Sequence, residues 1–208
     1  MKTIIRLTVL AGLVFAPSFA RAVSLPASAA EAKPIGVGAH APAVKLADMN
    51  GVPVELAKSF AEKPTVLVFY RGSWCPFCNQ QLAALGELEP KLLALGYQII
   101  AISPDSAEGL KKMAGKNHLD YQLLSDHGME ASTAYGTAFR LSAEIEKKYG
   151  DFGVPLTPVP GGEGHWLPVP TVYLIGSDGV IKFVYSNPDY KVRLLPATLL
   201  TAAEAAAK

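Results

Sequence analysis

Only two of the 208 residues are cysteine, Cys75 and Cys78, and only 18% are charged. A chain of this length can build its core from apolar burial, so a framework of disulfides or structural metals is not needed for folding. Basic residues exceed acidic ones by a single charge. That leaves no cationic face for a phosphate backbone or an anionic bilayer, which excludes nucleic-acid and membrane-surface binding as first readings. No apolar run reaches the roughly 20 residues that a helix needs to span a hydrocarbon core. What is present is a half-hydrophobic chain with 9% aromatic residues, a composition that rules out a disordered or collagen-like protein and predicts one domain with a substantial core.

The N-terminus has its own pattern. Lys2 and Arg6 precede a mostly apolar run from Leu7 to Ala16, then Pro17 and small residues ending in Ala20-Arg21-Ala22. A positive start, a short apolar stretch and a small-x-small triplet predict a cleaved signal peptide over 1–22, with an N-terminal core helix as the alternative. On this reading the protein is exported, periplasmic or secreted, and leaves the membrane after cleavage. Cleavage removes three bases and no acid, leaving a slightly acidic mature chain. Residues 23–34, rich in Ala, Ser and Pro, predict a flexible leader, and residues 35–208 the folded domain.

Ala43–Ala47 and Val52–Leu56 flank Asp48-Met49-Asn50-Gly51, and Asn-Gly supplies the positive φ that a tight hairpin requires. Thr65–Tyr70 is a continuous β-branched and aromatic run, as in a strand covered on both faces. After Pro76, leucines at 82, 85, 88, 92 and 95 keep helical spacing, with Pro90 expected to kink or split the helix. A strand over 97–103, a helix over 105–116 and a short strand over 121–124 follow. Residues 129–149 read as helix, broken near Gly136, and 150–170 as a Gly/Pro-rich loop able to cover the site. Thr171–Ile175 and Val180–Tyr185 flank Gly176-Ser177-Asp178-Gly179 as a second hairpin, and Pro196 opens a closing helix. Alternating strands and helices followed by a hairpin predict an α/β fold with a mixed central sheet flanked by helices and an N-terminal β-hairpin extension.

The chemistry concentrates where the buried strand ends in Trp74-Cys75-Pro76-Phe77-Cys78. Unpaired N–H groups and the positive end of the dipole at a helix N-terminus stabilise a thiolate. Pro76 fits the first turn, where its missing N–H would have no partner. Residues three apart share a helix face, so the two sulfurs can close a disulfide. That ring is too small to constrain the unfolded chain much, which argues for redox use over a staple. Zinc would need further ligands from His40, His118, His127 or His165, which lack paired spacing, so neither metal nor other cofactor is expected. Two inert buried cysteines, or a redox-inert binding module, are the alternatives from outside catalysis. Arg71, at the end of the strand, is placed where its guanidinium can face a thiolate.

Trp74-Cys75-Pro76-Phe77-Cys78 resembles the thioredoxin-fold active site, while Gly38-Ala39-His40-Ala41-Pro42 with the Asn50-Gly51 hairpin is similar to the start of peroxiredoxins, the alkyl hydroperoxide reductase and thiol-specific antioxidant family. The combined pattern resembles peroxiredoxin-like proteins that keep a Cys-x-x-Cys, and implies a thioredoxin-like fold. The family's Pro-x-x-x-Thr-x-x-Cys pattern places Arg71 on the proline, Cys75 on the threonine and Cys78 on the peroxide-attacking cysteine. The arginine preceding a late strand in that family falls here on Val169. Val169-Pro170 also matches the cis-proline site beside the sulfurs, implying that Trp74, Val169 and Pro170 help bind substrate. The resemblance implies reduction of hydroperoxides through Cys78, a Cys75–Cys78 disulfide and regeneration by a thioredoxin-like dithiol. The alternative is a thiol–disulfide oxidoreductase acting on protein disulfides with Cys75 as nucleophile.

Overall fold

A computed structural model describes residues 24–117 and 119–207. The proposed signal segment, 1–22, lies outside the described residues. The opening hairpin forms as β1 (Lys45–Asp48) and β2 (Pro53–Glu55), with Leu46 opposite Val54. Helix α1 (Leu56–Glu62) leads to β3 (Thr65–Phe69), whose five residues are all buried. Helix α2 (Pro76–Ala94), β4 (Gln98–Ser103), α3 (Ala107–Asn117) and β5 (Gln122–Ser125) follow. The chain then runs through α4 (Glu130–Ala134), β6 (Ala138–Arg140), α5 (Ala143–Asp151), β7 (Thr157–Pro158) and β8 (His165–Pro168). It closes with β9 (Thr171–Ile175), β10 (Ile181–Ser186) and α6 (Pro196–Ala206).

Seven strands make one mixed sheet in the order β10-β9-β3-β4-β5-β1-β2, with β3, β4 and β5 mutually parallel and the other neighbours antiparallel. Alternation along β3 sorts its side chains between two cores. Val66 and Val68 join the leucine stripe of α2 and Leu199 of α6 on one face, while Leu67 and Phe69 meet Phe60, Ile100 and Tyr173 on the other. Each fully buried leucine contributes roughly 2 kcal/mol from removal of apolar surface, so the stripe at 82, 85, 88 and 92 outweighs the local cost of Pro90. Accordingly α2 is one helix of 19 residues, and the split expected at Pro90 does not occur.

Three expectations are corrected. Residues 129–170 keep two short helices, α4 and α5, and add a second sheet, β6-β8-β7, where only helix and loop were expected. The helix does break at Gly136, which has φ +68° and whose Cβ, were one added, would lie 2.1 Å from the Lys33 carbonyl oxygen. Beyond it Phe139 pairs with Leu167, a partner so distant in sequence that no local periodicity announces the strand. Residues 24–34 are not a free leader: Arg140 N–H donates to the Pro26 carbonyl, Ile35 N–H donates to the Tyr135 carbonyl, and Leu25 packs against the cluster around buried Trp166. The 169–170 bond is not cis, since the described residues contain no cis peptide.

Candidate active site

The end of β3 lies between Ile102 of β4 and Thr171 of β9, so residues 70–75 emerge at the carboxyl edge of the parallel strands, where backbone ends diverge and leave room for a site. Gly72 makes the turn. Its φ of +141° is left-handed, and an added Cβ would come within 2.5 Å of the Trp74 indole nitrogen. Asp105, just after β4, pins the turn from below. Its carboxylate accepts from Ser73 N–H at 2.8 Å, from Ser73 Oγ at 3.2 Å and from Ser103 Oγ at 2.9 Å. Burial pushes the Asp105 carboxyl up, and the bonds from Ser103 and Ser73 oppose it. Asp105 carries no site signature in the sequence, because Ser73, unlike its chain neighbour Ser103, reaches it only when β3 and β4 pair.

Cys75 caps α2: its carbonyl accepts from Cys78 N–H at 3.1 Å and Asn79 N–H at 3.0 Å, and Pro76 begins the helix. Both sulfurs are free thiols and both residues are fully buried. Their acidities diverge. A hydrogen bond from the Cys78 thiol leads the effects that lower Cys75 from 9.0 to about 6; burial opposes it, and Cys78 N–H and the charges of Arg71 and Arg193 assist. Cys78 moves the other way, raised chiefly by burial and then by its bond to Cys75. Burial and the shared hydrogen bond thus push the two thiols apart, Cys75 toward the thiolate and Cys78 toward the thiol.

Two guanidinium groups flank the pair. Arg71 is buried under three rings, with its Cζ 3.8 Å from the centroid of Tyr190, 5.0 Å from that of Trp74 and 5.4 Å from that of Tyr149, and it donates to the Tyr149 hydroxyl. Arg193 comes from the segment between β10 and α6. Its Nη2 lies 3.3 Å from Cys78 Sγ and 4.0 Å from Cys75 Sγ, and its Nη1 donates to Gln81 Oε1 at 2.8 Å. Of the residues expected at the site, Arg71 acts on Cys75 through its charge and Trp74 packs against the core that holds both sulfurs, whereas Arg193, Gln81, Tyr149 and Tyr190 escaped sequence reading. Asn187-Pro188-Asp189 was the available signal. The Asn187 and Asp189 side chains accept from Asp189 N–H and Lys191 N–H, turning the chain so that one segment carries both Tyr190 and Arg193.

Val169 has another part than implied. Its side chain is buried, its N–H donates to the Thr137 carbonyl at 2.8 Å, and its carbonyl accepts from Thr171 Oγ1 at 3.0 Å, so this backbone edge is already engaged. Pro170 instead lines a cavity of about 300 Å³ together with Arg71, Leu141, Ile145, Tyr149 and Tyr190. A second cavity of about 310 Å³ lies on the Arg193 side, walled by Phe77, Gln81, Leu85, Leu194 and Leu199.

A β-strand ending in a cysteine-capped helix, inside a mixed sheet with an N-terminal hairpin, defines a thiol oxidoreductase of thioredoxin-like fold. The chain belongs to the AhpC/TSA family, matched over residues 37–184. It is 32% identical over 150 residues to a chloroplastic peroxiredoxin Q of Sedum lineare, covering 72% of this chain and 68% of that one. It is also 32% identical over 153 residues to the chloroplastic peroxiredoxin Q of Arabidopsis thaliana, covering 74% of this chain and 60% of that one. Among solved structures, reduced Prx3 of Vibrio vulnificus in complex with hydrogen peroxide superposes with a TM-score of 0.67 at 19% identity, over 81% of this chain and 99% of that one. Peroxidoxin BcpB of Mycobacterium tuberculosis gives 0.63 at 21%, over 81% and 96%. These two establish the fold, and membership of the family makes the protein a thiol-dependent peroxidase by class.

The same relatives correct the localisation. The matched peroxiredoxins Q are chloroplastic, which overturns assignment to a periplasm or the exterior. Basic, acid-poor N-termini occur in organelle-directed as well as secreted chains, so the charge pattern that suggested export does not distinguish them.

Proposed function

We propose that this chain reduces hydroperoxides with the Cys75–Cys78 pair and that an external thioredoxin-like dithiol restores it. The observation that carries the reading is the division of the proton: Cys75, lowered to about 6, is a thiolate at neutral pH while its neighbour keeps a hydrogen. The Cys75 thiolate attacks one peroxide oxygen, the S–O bond forms as the O–O bond breaks, and the departing oxygen takes the proton held by Cys78 to leave as water or alcohol. Cys78 sulfur then displaces hydroxide from the Cys75 sulfenic acid, which leaves as water once protonated, and the disulfide closes. Two electrons pass from the sulfurs to the peroxide, and the external dithiol returns them. The positive charge of Arg71, uncancelled by any carboxylate among the described residues, supports the thiolate.

A second assignment reverses the two sulfurs and is the one implied by the position of the family's attacking cysteine. Its support is Arg193, whose Nη2 stands nearer Cys78 than Cys75. Anaerobic titration of the reduced protein with hydrogen peroxide separates the two. If Cys75 attacks, Cys75→Ser stops peroxide consumption, while Cys78→Ser consumes one equivalent and stops at a sulfenic acid; the opposite pattern moves the attack to Cys78. A wild-type protein that exchanges disulfides but leaves peroxide untouched refutes peroxide reduction altogether.

A further inference from the structure

The geometry points to Arg193 as a catalytic residue that holds the negative charge of the sulfur pair, with Gln81 as the positioning residue that aims it. Among the described residues, Arg193 is the charged side chain with hydrogen-bond contacts to the two sulfurs, at 3.3 Å from Cys78 and 4.0 Å from Cys75. The Arg71 charge also lowers Cys75, but its guanidinium is held away on aromatic rings, and the other groups around the pair are engaged elsewhere. Just after β3, the Tyr70 phenol is kept protonated, its acidity weakened by burial, and Arg71 is stacked on its rings. Asp105 is committed to Ser73 and Ser103, and Lys191 lines the outer cavity beside Arg193.

The way Arg193 is held fits this task. Gln81 lies one turn beyond Cys78 on α2, so its amide oxygen reaches the same guanidinium that meets the sulfur. A carboxylate in that place would neutralise the guanidinium, whereas a neutral amide orients it and leaves its field on the sulfurs intact. Arg193 Nε is buried, and among the described residues Gln81 and the sulfurs account for the polar contacts of this side chain. A guanidinium at this distance favours the ionised thiol whichever sulfur attacks, and does so for a peroxide or a disulfide acceptor alike. The inference is therefore separable from the proposed reaction.

The test measures the thiols directly, by thiolate absorbance and by the pH dependence of iodoacetamide alkylation in the reduced full chain. Arg193→Met should move the alkylation midpoint upward by about 1 to 3 pH units and slow alkylation near pH 6 roughly tenfold or more, as expected when an opposite charge within hydrogen-bond reach is lost. Arg193→Lys should recover part of that shift. Gln81→Leu should give a smaller upward shift in the wild-type background and none when added to Arg193→Met, because a residue that acts only through Arg193 has nothing left to aim. An unchanged midpoint in Arg193→Met overturns the inference. A Gln81→Leu shift that persists in the double variant overturns the positioning role. Arg193→Gln provides the same reading if the methionine variant does not fold. Loss of peroxide turnover in wild type, with these midpoints as described, refutes the proposed reaction and leaves Arg193 in place.

Discussion

Arg71 and Arg193 both lend positive charge to Cys75 and line two different cavities, and they are held by different means. Arg71 is fastened by aromatic faces and one phenol, with an apolar cavity beyond it. Arg193 is fastened by a single amide and reaches the sulfurs directly. What they share is a neutral holder. The nearby acid, Asp105, spends its oxygens on Ser73 of the loop and Ser103 at the end of β4. Neither guanidinium forms an ion pair with a carboxylate among the described residues, so no acid competes there for the charge that stabilises a buried thiolate.

Removing both charges should have the largest effect. Arg71→Met combined with Arg193→Met should return the reactive thiol toward the ordinary range and cut alkylation at pH 6 by roughly 100-fold, more than either change alone. Equal effects of the double and single variants would show that one side carries all the stabilisation. The loop that presents the sulfurs comes next. Gly72→Ala forces a side chain into left-handed backbone and against Trp74, and should cost about 1–3 kcal/mol in chemical denaturation with a raised thiol midpoint. On the Arg71 side, Tyr149→Leu removes a ring and a hydroxyl and should slow alkylation several-fold, whereas Tyr149→Phe keeps the ring and should cost only about 1 kcal/mol or less of stability. Tyr149→Phe as damaging as Tyr149→Leu would mean that the hydroxyl, and not the rings, fixes Arg71.

The pH dependence sharpens the same comparison. The folded-state value for Cys75 is depressed from 9.0 to about 6, so reactivity should titrate with a midpoint near 6 and fall about tenfold per unit below it. The stabilisation this group lends the reduced fold is fully present above 9 and lost as pH falls through 6. The advantage of wild type over Cys75→Ser in urea denaturation should shrink across that window. A constant difference from pH 9 to 5 would separate the charge on Cys75 from the stability of the fold.

Leu82 to Leu92 and Thr65 to Phe69 were legible because helical and strand periodicities are properties of neighbouring residues, and both appear where the spacing puts them. The hairpins at Asn50-Gly51 and Ser177-Asp178-Gly179 were legible for the same reason, since a turn carries its own backbone requirements. Phe139 and Leu167 were not, because each short strand exists only by pairing with the other across a long interval of chain. The split expected at Pro90 failed in the opposite sense. Its local preference is real, yet the leucines around it bury enough surface to keep one helix.

The amino-acid order alone therefore determined that two sulfurs would sit at the head of a helix below a buried strand, because the cysteines, the proline between them and the flanking patterns are contiguous. Only the tertiary structure decided which sulfur keeps the charge and which guanidinium groups support it. Those depend on Arg193 and Tyr149, far along the chain from Cys75 and Cys78, and on burial, which no residue possesses until the rest of the chain has closed around it.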